Sequence, residues 1–125
     1  MKCKICGNNS EQILDIDYYK CNKCNFIYMD DKLRVSFDGE RKVYDYHNNS
    51  IDDTKYTDYL MDFFNRAVTP FIQKGNLLDF GSGPEPVLAQ LIARDFDFKV
   101  DHYDLHYQPN KIYENKRYDV IVSTE

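Results

Sequence analysis

The sequence predicts an α/β chain in two parts: a small N-terminal ribbon held by cysteines, then part of a doubly wound domain. Three observations predict it. Two C-x-x-C pairs stand close together at the N-terminus, and an apolar stripe at helical spacing follows over residues 60–72. From residue 76, a strand, a tight glycine turn, a helix and a second strand follow one another. The 125 residues are 42% hydrophobic and 15% aromatic, which excludes global disorder. With 16 Lys+Arg against 21 Asp+Glu, the net charge of −5 opposes a protein held mainly to phosphate backbones. No apolar run approaches the roughly 20 residues that span a bilayer, so no membrane role is expected.

The ribbon comes first. The chain starts Met1-Lys2-Cys3 with no basic leader and apolar segment, so a cytoplasmic, reducing setting is expected. All four cysteines lie in two pairs, Cys3/Cys6 and Cys21/Cys24, with residues 7–20 between them. Each C-x-x-C turn aims two sulfurs at one point, and two turns complete a tetrahedral S4 shell for a structural zinc ion. Gly7 and Asn25 follow the pairs, and both residue types accept the positive φ that curls the chain under a metal. Leu14, Ile16 and Tyr18 alternate with Asp15, Asp17 and Tyr19, which predicts a strand, with residues 26–28 as its partner. Residues 1–29 therefore read as a zinc ribbon. Two disulfides or a redox C-x-x-C are the alternatives, disfavoured by the reducing setting and the closed four-ligand set. Lys2, Lys4, Lys20 and Lys23 face Glu11, Asp15, Asp17 and the thiolates, so the ribbon is not a basic nucleic-acid module.

Residues 30–53 are polar and mixed, and predict a linker or lid segment with little regular structure, carrying Tyr44, Tyr46 and His47. A helix is expected from Thr54. Leu60, Phe63, Phe64, Ala67, Val68, Phe71 and Ile72 keep the spacing of an amphipathic face. Asp52-Asp53-Thr54 supplies its N-cap and an acidic first turn, Pro70 bends it or ends its regular part early, and Gly75 supplies the stop.

Residues 76–80 then form a strand, Gly81-Ser82-Gly83 a turn, residues 87–93 a helix and residues 98–104 a second strand. The dinucleotide fingerprint needs a third glycine, and that position is Pro86. Pro84 and Pro86 carry no N–H, and Glu85 between them is negative, so each spoils a pyrophosphate site. No Gly-Lys-Ser/Thr follows, so a P-loop is excluded. A ligand with ribose and cationic groups but no phosphate escapes these penalties, and S-adenosylmethionine (SAM) is such a ligand. Asp79 would attract its amino group, and the backbone at Phe80, Gly81, Ser82 and Gly83 would pass close to it. Asp104, 21 residues beyond Gly83, stands where an acid accepts ribose hydroxyls. The plainer alternative makes Asp79 a strand-end cap and Asp104 a solvated turn acid.

Here the sequence resembles a known family. Residues 78–83, Leu-Asp-Phe-Gly-Ser-Gly, resemble motif I of class I SAM-dependent methyltransferases. Tyr103-Asp104 resembles the acid that ends their second strand, and residues 118–125 resemble their fourth strand. One bacterial group of these enzymes carries an N-terminal zinc ribbon and a Tyr-His-Asn-rich segment before the first Rossmann helix, as residues 46–50 do here. Glu85 departs from the glycine usual at its place, and residues 105–117 are short and polar where a third strand belongs.

The resemblance implies a partial Rossmann-like SAM-binding domain over residues 54–125, with Asp79, Phe80, Gly81, Ser82, Gly83 and Asp104 holding the cofactor. It implies methyl transfer to an unidentified acceptor, with His47 the weak candidate for a general base and Glu125 near the methyl donor. The family fold has seven strands and this sequence reaches the fourth. The expectation is therefore an N-terminal portion of a longer enzyme, or a chain that pairs with itself through the open edge at 118–124. The rival reading is a non-catalytic zinc-binding assembly module derived from a methyltransferase. RNA modification guided by the ribbon is a third idea, opposed by the acidic balance.

Overall fold

The computed structural model describes residues 1–47 and 49–124 as a mixed α/β chain. Asn48, in the expected lid segment, and Glu125, at the expected fourth strand, lie outside the described residues. The chain divides into two compact units, Met1–Glu40 and Arg41–Glu125.

In the first unit, three short antiparallel strands form one sheet: β1 (Ser10–Gln12), β2 (Tyr18–Cys21) and β3 (Ile27–Met29), in the order β1-β2-β3. Tyr19 pairs with Tyr28, so the expected partner of β2 forms, with Ile27 and Tyr28 in it and Phe26 just before it. The alternating stretch behaves differently from the expectation. Residues 14–17 form the turn between β1 and β2, and Leu14 is 89% exposed. Asp15 adopts φ 61°, a conformation that Asp tolerates and an extended strand forbids. The strand before this turn, Ser10-Glu11-Gln12, is polar throughout and left no hydrophobic pattern to read.

The segment 30–53, expected to be irregular, holds a 3-10 turn at Asp31–Leu33 and a helix, α1 (Phe37–Asp45). The Ser36 hydroxyl accepts the Gly39 N–H (3.1 Å), and Asp38 and Glu40 load the first turn with negative charge. An N-cap and an acid-rich start suffice to nucleate a helix that buries none of its residues. The boundary between the two units falls within α1.

The second unit continues with α2 (Thr54–Ala67), β4 (Lys74–Phe80), α3 (Val87–Asp95), β5 (Asp97–Tyr103) and β6 (Val120–Val122). Asp53 caps α2 as expected, accepting the N–H groups of Lys55 (3.0 Å) and Tyr56 (3.2 Å), but both acids precede the helix and its first turn holds none. The helix ends at Ala67, three residues before Pro70, rather than near Gly75. Pro70 has no N–H for the next rung and disfavours helical Thr69, so the chain leaves the helix early. Phe71, assigned to the apolar stripe, is 82% exposed, and Gly75 belongs to β4.

β4 lies between β5 and β6, parallel to both, giving the order β5-β4-β6. No strand forms among residues 105–117, and Val120–Val122 pairs directly with Leu77–Asp79. One core joins the helices to the sheet: Leu60, Phe64, Val68, Val87, Leu88, Leu91 and Ile92 pack with Leu77, Phe98 and Val122. Phe64 is fully buried, with its ring edge-on to Phe96 (4.8 Å) and Phe98 (5.8 Å). This core fixes the carboxyl ends of β4 and β5, where the glycine turn begins.

Candidate metal centre and ligand site

The four cysteines meet. Their sulfurs lie within 4.8 Å of one another, with Cys3–Cys24 at 3.6 Å, Cys6–Cys21 at 3.5 Å and Cys6–Cys24 at 3.6 Å. None is in a disulfide. Corners of a tetrahedron about 2.3 Å from a central ion lie roughly 3.8 Å apart, so the set fits a four-coordinate metal. The two C-x-x-C turns have matching backbones. Gly7 N–H donates to the Cys3 carbonyl (3.0 Å) and Asn25 N–H to the Cys21 carbonyl (3.1 Å), at φ 69° and 60°. In both turns a backbone N–H points at the first sulfur: Ile5 at Cys3 (3.4 Å) and Lys23 at Cys21 (3.4 Å). These donors favour thiolate over thiol, which is the form that binds metal.

The Cys21 thiol is pulled down to about 6, first by the Cys24 N–H and then by the Lys23 N–H, against burial. For Cys24 the Phe26 N–H pulls downward, but burial and the neighbouring thiols outweigh it and push the group up to about 12. Four sulfurs this close cannot all carry charge unless a cation sits among them. Around the cluster, the Tyr28 hydroxyl donates to the Lys2 carbonyl (3.1 Å), Lys4 lies over the Tyr28 ring (5.2 Å), and Lys4 pairs with Asp31.

The second constellation sits at the carboxyl ends of β4 and β5. Gly81 and Gly83 take φ 88° and 77°, which an L-residue adopts only with strain, so the tight turn requires both. All three N–H groups of the turn are engaged within the protein. Those of Gly81 (2.8 Å) and Ser82 (3.0 Å) donate to the Tyr103 carbonyl, and that of Gly83 donates to Asp104 Oδ2 (2.8 Å). Asp104 Oδ1 accepts the N–H groups of His106 (2.8 Å) and Tyr107 (3.1 Å). Asp104 is thus half-buried and ties the turn to the loop after β5, which a solvated turn acid would not do.

Asp79 ends up deeper than a strand-end position suggests. It is 1% exposed, and the Ala89 N–H donates to its carboxyl. Ala89 is the third residue of α3, whose N-cap Pro86 offers no side-chain bond, so β4 supplies the missing cap from outside the helix. Burial, with Asp104 adding to it and the Ala89 N–H opposing, pushes Asp79 up to about 6. Its Oδ1 has no hydrogen-bond partner among the described residues.

Phe80 is 38% exposed and packs with Tyr103 (5.0 Å) and Tyr113 (5.6 Å). His102, which pairs with Asp79 across the sheet, brings Nδ1 to 3.5 Å from Ser82 Oγ. Sequence reading missed His102; the parallel register of β4 and β5 is the signal that would have found it.

His47 is exposed and meets the Tyr44 ring edge-on (6.0 Å), while Tyr46 is 87% exposed. The end of α1 does reach the loop after β5. Tyr107 donates its hydroxyl to Asp45 Oδ1 (2.5 Å) under the Arg41 guanidinium (5.3 Å), and Tyr44 meets His106 (5.6 Å). Burial, then the bond to Asp45, pushes the Tyr107 hydroxyl up to about 12 and keeps it a donor.

A separate cleft of about 220 Å³ is lined by Asn76, Lys99, Asp101, Lys116, Arg117 and Tyr118, and shares no residue with the turn. Lys116 (2.8 Å) and Tyr118 (2.7 Å) hold the Asp101 carboxyl there and keep it below the usual carboxylate range.

Chemically, the turn cannot cradle phosphate, because its N–H groups are spent and Asp79, Asp104 and Glu85 make it negative. Among the described residues no helix is long and apolar enough to cross a membrane. The chain matches no protein-family model, no curated protein and no solved structure.

Proposed function

We propose that the chain is the zinc-binding and SAM-binding part of a SAM-dependent methyltransferase. The four-sulfur cluster holds a structural Zn²⁺, because a closed S4 set leaves no open position for substrate. SAM binds at the glycine turn. The observation that carries this reading is the pairing of a phosphate-refusing turn with two carboxylates. A turn whose N–H groups are internally bonded, flanked by Asp79 and Asp104, selects a ligand with positive charge and no phosphate. Asp104 has bonds to three N–H groups, and a carboxylate accepts about four, so one lone pair is left for a ribose hydroxyl. SAM supplies an electrophilic methyl group; the residues of this chain position it and contribute negative potential. His47, exposed on a loop, is the candidate base.

The second reading, a non-catalytic zinc-binding assembly module, is favoured by the Asp104–Gly83 bond, which closes the turn on itself without a ligand. Calorimetric titration of SAM separates the two. Saturable binding that weakens at least about tenfold in Asp104→Ala supports the first, a loss of roughly 1.4 kcal/mol. One zinc per chain with no saturable SAM heat leaves the assembly module standing.

A further inference from the structure

Asp79 is enclosed, bonded on one side and unpartnered on the other. Its Oδ1 has no donor, its surroundings leave it 1% exposed, and no lysine or arginine among the described residues pairs with it. The charged and titratable groups around it come from each neighbouring element. β5 presents His102 as the register partner, and the loop after β5 presents Asp104, whose charge opposes that of Asp79. The approach to α3 carries Glu85, which accepts the Ile51 N–H (3.5 Å). The first turn of α3 holds no acid, and β6 presents the uncharged Val122. Among the described residues, only the N-terminus of α3, through Ala89, favours the carboxylate. An enclosed carboxyl with one idle oxygen and a like charge nearby holds a proton to higher pH than a free one, and a cation beside it displaces that proton.

We propose that Asp79 makes the glycine-turn site proton-linked: in mildly acidic solution the empty site keeps Asp79 protonated, and a ligand carrying an ammonium group displaces that proton to solvent. This rests on the reading that the turn binds SAM, and adds how that binding is regulated. The ammonium favours the carboxylate whether it meets Oδ1 directly or through one water. The proton leaves Asp79 for buffer, no bond to carbon changes, and charge balances because the departing proton is replaced by the ammonium. Affinity therefore rises with pH across the range where the empty site loses its proton.

The test uses the full chain and two probes, SAM and 5′-methylthioadenosine, which has the nucleoside but no ammonium. Calorimetry at about pH 5 and about pH 7, in buffers of different ionisation enthalpy, should show SAM binding roughly tenfold tighter at the higher pH. The heat at the lower pH should depend on the buffer, reporting the released proton. 5′-Methylthioadenosine should bind with an affinity that pH leaves unchanged, and Asp79→Asn should flatten the SAM profile. The wild-type buffer comparison stands even if that variant folds poorly. If SAM and 5′-methylthioadenosine both bind but SAM affinity is flat and its heat buffer-independent, the proton linkage is wrong and the SAM site survives. If neither probe binds at either pH, the SAM site is wrong and the linkage falls with it.

Discussion

At the scale of single residues, Asp79 shows what the site costs the fold. Its carboxyl ordinarily titrates near 3.8, and burial first, with Asp104 second among the raising influences, moves it to about 6 in the folded chain. The folded state therefore holds this proton more tightly than the unfolded state. The resulting stabilisation is complete below about pH 4 and is lost as pH rises through about 6. Its size is on the order of 3 kcal/mol, since each tenfold gain in proton affinity is worth about 1.4 kcal/mol. Urea midpoints followed by circular dichroism should fall between about pH 4 and about pH 7 through this group, and Asp79→Asn should remove that share of the slope. Parallel pH profiles for the two proteins would sink the assignment. A buried carboxyl whose stabilising share is lost at neutral pH fits a binding role better than a packing role. Its position was legible, since an acid before Gly-x-Gly ends a strand. Its burial was not, because the cap it gives to Ala89 joins residues ten apart in sequence through the strand–turn–helix geometry.

At the scale of elements, legibility followed the strength of the local signal. Asp53 before α2 and the glycines after β4 each impose a backbone geometry by themselves, and both stand where the sequence put them. Leu14–Tyr19 shows the limit. Alternation indicates a strand only where one face has something to pack against; in the first unit residues 14–17 of the pattern fall on a turn, and only Tyr18 and Tyr19 enter β2. α1 failed to show for another reason: it is short and polar, with Phe37, Val43 and Tyr44 its only apolar side chains and none of its residues buried. The edge strand β6 has a separate consequence. Val120-Ile121-Val122 pairs on one side with β4, and Ile121 is 64% exposed. We propose that its outer edge pairs with a second copy of the chain, since β-branched edges without charge or proline invite extension. Sedimentation should then show a concentration-dependent dimer that Ile121→Lys reduces toward monomer. A wild-type chain that stays monomeric at high micromolar concentration contradicts the pairing.

At the scale of the whole molecule, the two units differ sharply in what can hold them together. Of the buried apolar residues among those described, Cys3, Cys21 and Tyr28 alone belong to Met1–Glu40, whereas thirteen, Leu60 through Val122, belong to Arg41–Glu125. A three-residue core, two members of which are metal-site sulfurs, cannot offset the conformational entropy of ordering forty residues, about 1–2 kcal/mol each for backbone alone. We propose that the first unit draws its stability from an ion at the S4 cluster, for which structural zinc sites supply about 10–16 kcal/mol. The second unit owes nothing to that ion, because its core of helix and sheet contains no cysteine. Stripping zinc with a strong chelator at neutral pH should accordingly collapse the amide dispersion of residues 1–40 in an NMR spectrum. Residues 54–124 should keep their chemical shifts, apart from small changes near α1. Re-adding zinc should restore the first set, and Cys21→Ser should reproduce the stripped spectrum without any chelator. If residues 1–40 instead keep their dispersion with no metal bound, the sulfurs hold the unit by some other means and the metal loses its structural role. If both units melt together, their stabilities are coupled, and the division at α1 is one of geometry rather than of folding.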